Sequence, residues 1–242
     1  MRLHIVEDYQ EMSKKAATIV ASQVTLKPES VLGLATGSTP LGMYRNLVQM
    51  YRDDIIDLSE VVTFNLDEYL GLGPEHPQSY HHYMHKNFFN QVNIPEDNIH
   101  LPQGNSENIE QVCREYDRKI ARYKGIDLQV LGIGVNGHIG FNEPDNKLKT
   151  ATHQVRLTED TIKANSRFFS SEEEVPRRAV SMGMGSIMQA RMILLLASGK
   201  QKALAIKNSI SGEITTEVPA SLLQLHPEVI TIVDREAAMY ID

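Results

Sequence analysis

The 242-residue chain is 41% hydrophobic and 23% charged, a globular composition that supports a sizeable core within one large α/β domain. A formal net charge of −7 argues against nucleic acid as an obligatory partner, and a lone cysteine, Cys113, excludes an internal disulfide and points to a reducing compartment. The opening MRLHIVEDYQ lacks a signal-peptide core and the longest strongly apolar run, MILLLA, is too short to span a bilayer, so a cytoplasmic protein without a membrane anchor is expected.

In chain order, a helical pattern over 8–23 is followed by the apolar run VLGLA at 31–35, a helix over 39–52 and the run VVTFN at 61–65. Helices over 78–90 and 105–124 then lead to the run LQVLGIG at 128–134. After a less regular stretch, 145–178, which holds a helical piece over 159–169, come AVSMGM at 179–184 and MILLLA at 192–197. A helix over 200–210 and the run VITIVD at 229–234 complete the series. Near-continuous apolar runs suit strands covered on both faces. Their alternation with helices predicts an open, mostly parallel sheet with helices on both sides. No repeat or linker divides the chain, so residues 1–242 are read as a single α/β domain. The stretch 145–178 is either a lid over a site or a solvated surface excursion.

Ligands of such sheets bind outside the carboxyl ends of the strands. Three strand ends are therefore informative. The first, ATGSTP, is a glycine turn opening a helix. Gly37, Ser38 and Thr39 there offer backbone N–H groups, hydroxyls and the positive end of a helix dipole, a phosphate cradle. The alternative is a plain helix cap from Ser38 or Thr39. The second end places Asp67 and Glu68 after VVTFN. A partly desolvated carboxylate is a good base, but successive side chains diverge, so only one of the two enters a given site. Surface solvation is the alternative for each.

The third end is LGIGVNGHIGFNEP at 131–144. GIGVNG fits the spacing of a dinucleotide fingerprint, yet Gly140 and Pro144 oppose the helix that fingerprint needs. The glycines suit close approach to a small ligand instead. Histidine is the residue type there that serves acid–base chemistry near neutral pH, and Asn136, Asn142 and Glu143 are placed to orient or polarise His138. In HPQSYHHYMH, His81 and His85 have the spacing of two zinc ligands. His82 stands where a metalloprotease helix needs glutamate, so surface histidines are expected and no metal site.

Seven pieces in order, GLATGSTP, VVTFNLDEYLGL, HPQSYHHYMHKNFF, LGIGVNGHIGFNEP, ANSRFF, SGKQKAL and LQLHP, together resemble the glucosamine-6-phosphate deaminase family. The resemblance implies a Rossmann-like sheet and a cofactor-free conversion of glucosamine 6-phosphate and water to fructose 6-phosphate and ammonia. It makes Asp67 the base that moves a proton from C2 to C1. It makes His138 the group that opens the sugar ring, with Glu143 holding the imidazole. It gives the phosphate to Gly37, Ser38, Thr39, Arg167 and Lys202, with the helix around 158–170 as a lid.

Two departures stand out. Many relatives carry aspartate where this chain has Asn136 in the ring-opening relay, and asparagine cannot carry a proton or charge. Relatives activated by N-acetylglucosamine 6-phosphate carry basic residues in the segment where this chain has His153, Val155 and Arg156, and they continue further past the last strand. A monomer or low-order homo-oligomer without that activation is therefore expected. A 6-phosphogluconolactonase and a non-catalytic sugar-phosphate sensor are the competing readings. The first needs no C2-to-C1 proton transfer, and the second usually adds a DNA-binding segment.

Overall fold

The computed structural model describes residues 1–241, the side chains of residues 160 and 164 excepted; Asp242, the end of the expected domain, lies outside the described residues. Among the described residues ten strands form, β1 (Arg2–Val6), β2 (Val31–Leu34), β3 (Val62–Asn65), β4 (Asp67–Tyr69), β5 (Ile99–His100), β6 (Leu128–Leu131), β7 (His153–Arg156), β8 (Arg178–Ser181), β9 (Met192–Ala197) and β10 (Val229–Asp234). The α-helices are α1 (Tyr9–Leu26), α2 (Ser38–Arg52), α3 (Tyr80–Asn87), α4 (Ile109–Arg122), α5 (Glu159–Ser166), α6 (Met184–Met188) and α7 (Ala203–Ile210).

Seven strands make one parallel sheet in the order β1-β10-β9-β6-β2-β3-β5. Alternate residues of its strands feed two cores. Leu32, Leu34, Val130, Leu194 and Ile232 pack under α1, α2 and α3 on one face. Val31, Leu131, Ile193, Leu195 and Val233 pack under α4, α6 and α7 on the other. Burial on both faces is why the inner strands read as near-continuous apolar runs, with a few polar residues such as Thr63, Gln129 and Thr231 buried among them.

From β2 the chain winds through β3 to β5 in one direction; from β6 it winds through β9 to β10 in the other. The reversal falls between β2 and β6, where an open α/β sheet leaves a crevice beyond its strand ends. The turn after β2 and the loop after β6 flank it.

One expected strand departs from the main sheet. AVSMGM yields β8, which joins β4 and β7 in an antiparallel three-stranded sheet, while Met184 begins α6. Its apolar residues serve a third core, where Ala179 meets Tyr69, Phe141, Leu157 and Ile162 of α5. The stretch 145–178 thus carries β7, α5 and a 3₁₀ turn over Glu172–Glu174. Among the described residues no helix is long and apolar enough to cross a membrane.

Candidate active site

A cavity of about 780 Å³ opens at the crevice, lined by Gly37, Ser38, Thr39, Asp67, His138 and Lys202 among others. Asn136 and Arg167 also line it. Glu143 stands behind His138, buried at 8% exposure.

The turn after β2 is built to expose donors. Gly37 caps α2 with φ of 99°, a left-handed conformation that side chains resist. Among the described residues no side chain caps this helix, so the hydroxyls of Ser38 and Thr39 are not spent on it, contrary to the capping alternative. Tyrosines brace the turn: Tyr44 Oη donates to the Ala35 carbonyl at 2.6 Å and Tyr83 Oη to the Gly37 carbonyl at 2.6 Å. In a planar trans peptide the N–H points opposite the C=O. Anchoring those carbonyls therefore turns the N–H groups of Thr36 and Ser38 away from the two tyrosines. Tyr9 is inserted into the first turn of α2, accepting from Gly42 N and donating to the Ser38 carbonyl, both at 2.8 Å.

Two cations line the cavity beside this turn. Arg167 Nη2 lies 3.2 Å from Ser38 Oγ. Lys202 Nζ donates to the Ile133 carbonyl at 2.6 Å. Burial, and then the charge of Arg167, lower the Lys202 pKa to about 8. Two cations that disfavour each other's charge make a favourable place for a dianion.

Asp67 and Glu68, adjacent on β4, diverge as strand geometry requires. Both are buried, which excludes the alternative of surface solvation. Asp67 faces the cavity at 6% exposure, and burial, reinforced by the charge of Glu68, raises its pKa to about 8. Glu68 turns away and accepts from the backbone N–H groups of Tyr69, Tyr80 and His81 at 2.8–2.9 Å. Burial raises its pKa to about 7 against those three donors. Glu68 thereby ties the start of α3 to the strand that carries Asp67.

The loop after β6 folds back rather than starting a helix. Gly137 N donates to the Gly134 carbonyl at 3.1 Å, and the next helix in the chain is α5. This is the outcome that Gly140 and Pro144 foretell. A Cβ on Gly134 would lie 2.2 Å from the His138 ring, so the imidazole rests where only glycine permits it. Phe141 N donates to Ser181 Oγ at 3.0 Å, and Ser181 pairs with Asp67 across β4 and β8. The histidine loop is thus fastened to the strand of the carboxylate.

His138 Nδ1 lies 2.7 Å from Asn136 Oδ1 and 3.1 Å from Glu143 Oε2. The amide orientation of Asn136 follows from its partners. Its Nδ2 meets a carboxylate oxygen of Glu143 at 2.9 Å, and its Oδ1 meets the His138 backbone N–H at 3.2 Å. Two acceptors at Nδ1 hold the proton there and leave the Nε2 lone pair unclaimed in the neutral ring. Burial opposes ionisation of Glu143, but hydrogen bonding and charge from His138, with Thr161 and Asn136, prevail and lower its pKa to about 2.

Thr161 of α5 donates to the other Glu143 oxygen, Oε1. Sequence reasoning passed over Thr161, Tyr9 and Tyr83. Nothing local marks them, because each acts through a group distant in the chain. The pair His81 and His85 lies outside the cavity, and the structure adds Glu96 to it.

Residues 7–232 match the family described as glucosamine-6-phosphate isomerases/6-phosphogluconolactonase. The chain is 61% identical over 241 residues to a glucosamine-6-phosphate deaminase of Thermoanaerobacter pseudethanolicus, covering 100% of this chain and 95% of that protein. It is 63% identical over 238 residues to that of Halothermothrix orenii, covering 98% and 99%. Among solved structures, a monomeric glucosamine-6-phosphate deaminase of the NagB superfamily superposes with a TM-score of 0.97 at 43% identity over 99% of both chains. The 6-phosphogluconolactonase of Thermotoga maritima shares the fold, with a TM-score of 0.76 at 20% identity over 97% of this chain and 99% of that one.

Proposed function

The chain belongs to the family of glucosamine-6-phosphate isomerases and 6-phosphogluconolactonases, and from that membership and its site we infer that it works as a glucosamine-6-phosphate deaminase. It converts glucosamine 6-phosphate and water to fructose 6-phosphate and ammonia, in amino-sugar breakdown. The observation that carries this reading is the placement of the Asp67 carboxyl and the His138 imidazole in one cavity with the donor-rich turn after β2.

The phosphate sits on the turn at Gly37, Ser38 and Thr39, its charge met by Arg167 and Lys202. His138 Nε2 takes the proton of the anomeric hydroxyl and returns one to the ring oxygen as the C1–O5 bond breaks. Asn136 and Glu143 keep the opposite nitrogen donating and stabilise the imidazolium that forms between the two transfers.

Asp67 then removes the C2 proton, giving an enolamine, and delivers a proton to C1. The resulting iminium at C2 adds water and expels ammonia, leaving the ketone. A pKa of about 8 leaves Asp67 largely protonated at neutral pH. The substrate's C2 ammonium, brought beside it, favours the carboxylate and sets it up as the base, and the ammonium's surplus proton passes to O1 as the C2–H bond breaks, so that the enolamine carries a neutral nitrogen.

A lactonase would activate water at an ester carbonyl and move no carbon-bound proton. The buried Asp67 supports the deaminase over that reading and over a sensor.

On the same reading α5 and its flanks form a lid over the sugar, supported by the Arg167 contact to Ser38 and the Thr161 contact to Glu143. A monomeric or low-order state is supported by the 43% identical monomeric deaminase. A cytoplasmic location fits the single buried Cys113.

The test is release of ammonia and fructose 6-phosphate from glucosamine 6-phosphate by the purified protein. Equal amounts of the two are expected. Thermal stabilisation by the sugar phosphate without ammonia release would return the protein to the sensor or lactonase readings.

A further inference from the structure

His81 and His85 stand one turn apart on α3, their rings stacked with centroids 4.3 Å apart. Glu96, from the 3₁₀ turn Glu96–Asn98 ahead of β5, reaches the same point. One ligand atom from each of the three lies within 4.8 Å of the others. The trio is outside the catalytic cavity.

The hydrogen bonding around the His85 ring is that of a metal ligand. A histidine that binds a metal donates its other ring N–H to an oxygen, which fixes the tautomer and frees a lone pair for the ion. His85 Nδ1 lies 3.2 Å from Asn90 Oδ1, an acceptor that holds the proton on that nitrogen. Its Nε2 is buried and, among the described residues, has no hydrogen-bond partner. His85 Nε2 stands 3.8 Å from Glu96 Oε1, too far for a hydrogen bond. Two ligands about 2.1 Å from a tetrahedral zinc ion stand about 3.4 Å apart, so a small movement of the exposed Glu96 side chain closes the gap.

We propose that His81, His85 and Glu96 bind a single transition-metal ion of the zinc class. Two imidazoles and a carboxylate suit zinc, cobalt or nickel and disfavour calcium or magnesium, which take oxygen ligands. The remaining coordination position is filled by water. The site is structural. Glu68 holds the first turn of α3 through Tyr80 N and His81 N, and Tyr83 of the same helix holds the Gly37 carbonyl. An ion clamping α3 to the segment before β5 stiffens a helix that braces the phosphate turn while touching no reacting atom.

The experiment uses the full chain, stripped with chelator and titrated with zinc chloride by calorimetry. Thermal unfolding is followed in parallel, and cobalt absorption reports the ligand set. One equivalent of zinc is expected, with a raised unfolding temperature. Glu96→Gln, an exposed change outside the cavity, weakens binding at least about tenfold and removes the thermal shift. His85→Gln abolishes binding. Deaminase turnover of stripped Glu96→Gln matches that of the stripped parent, which separates this proposal from the reading of the catalytic site. No zinc binding, or binding that survives either substitution unchanged, overturns the site.

Discussion

Asn136 Nδ2 donates to Glu143 Oε2 across 2.9 Å while its Oδ1 faces the His138 ring nitrogen at 2.7 Å. One amide thus satisfies an anion with its nitrogen and an N–H with its oxygen. An aspartate in its place would keep the second contact and set a carboxylate against the carboxylate of Glu143. Like charges at that separation raise the pKa of one member of the pair. Asn136→Asp is therefore expected to move the acidic limb of the kcat/KM profile to higher pH, with KM changed less than about threefold. A pH–rate profile that overlays the parent's would remove Asn136 from the relay.

Asp67→Asn separates catalysis from stability. Loss of the base is expected to lower kcat by about 10²–10⁴-fold, with sugar-phosphate binding retained. Stability moves the other way. The Asp67 pKa rises from about 3.9 in the unfolded chain to about 8 on folding. Its contribution is fully present below the unfolded value and is lost as pH rises through the folded one. Asparagine does not ionise and escapes that loss. The unfolding temperature of Asp67→Asn should exceed the parent's by a margin that widens from pH 4 to pH 8 and then levels. A margin that shrinks with pH would contradict the burial of an uncompensated carboxyl.

Thr161→Val removes the donor to Glu143 Oε1 while keeping the side chain's shape. A hydrogen bond to a charged group contributes about 1.5–3 kcal/mol. Without it Glu143 ionises less readily, and kcat/KM should fall about tenfold or more at the acidic end of the profile, with Thr161→Ser close to the parent. Equal losses in both variants would assign the effect to packing of α5 instead.

Tyr83→Phe frees the Gly37 carbonyl and loosens the turn without touching the acid–base groups. An increase in KM of about fivefold, equivalent to about 1 kcal/mol, is expected at nearly constant kcat. Inhibition by inorganic phosphate should weaken in parallel, and a fall in kcat alone would place Tyr83 elsewhere in the mechanism.

What the sequence disclosed follows from where the information lies. The inner strands β2, β3, β6, β9 and β10 are buried on both faces, so unbroken runs such as VITIVD announce them. β1 and β7 expose half or more of their residues, and β4 is the polar triplet Asp67–Tyr69. Their strand character comes from partners far along the chain, β10 for β1 and β8 for the other two. The same division holds at the site. Asp67, Asn136, His138 and Glu143 sit in short motifs whose glycines and polar groups make little sense in an ordinary loop. Thr161 looks like any helix threonine until α5 is laid against the loop after β6. Glu96 looks like any surface acid until α3 is set beside it.

On the proposed reading, the Thr161 hydroxyl would make the proton relay and a roof over the cavity parts of one interlock. If α5 swings away to admit a sugar, Glu143 loses a donor at the moment when water has most access, and the imidazole stands less well poised. On α5's return, enclosure and acid–base competence would arrive together, and Arg167 would reach the turn at Ser38 in the same motion. A sugar without the phosphate to draw Arg167 down would meet an enzyme whose ring-opening machinery is not yet assembled. Discrimination against free amino sugars would then be exercised in turnover as well as in binding.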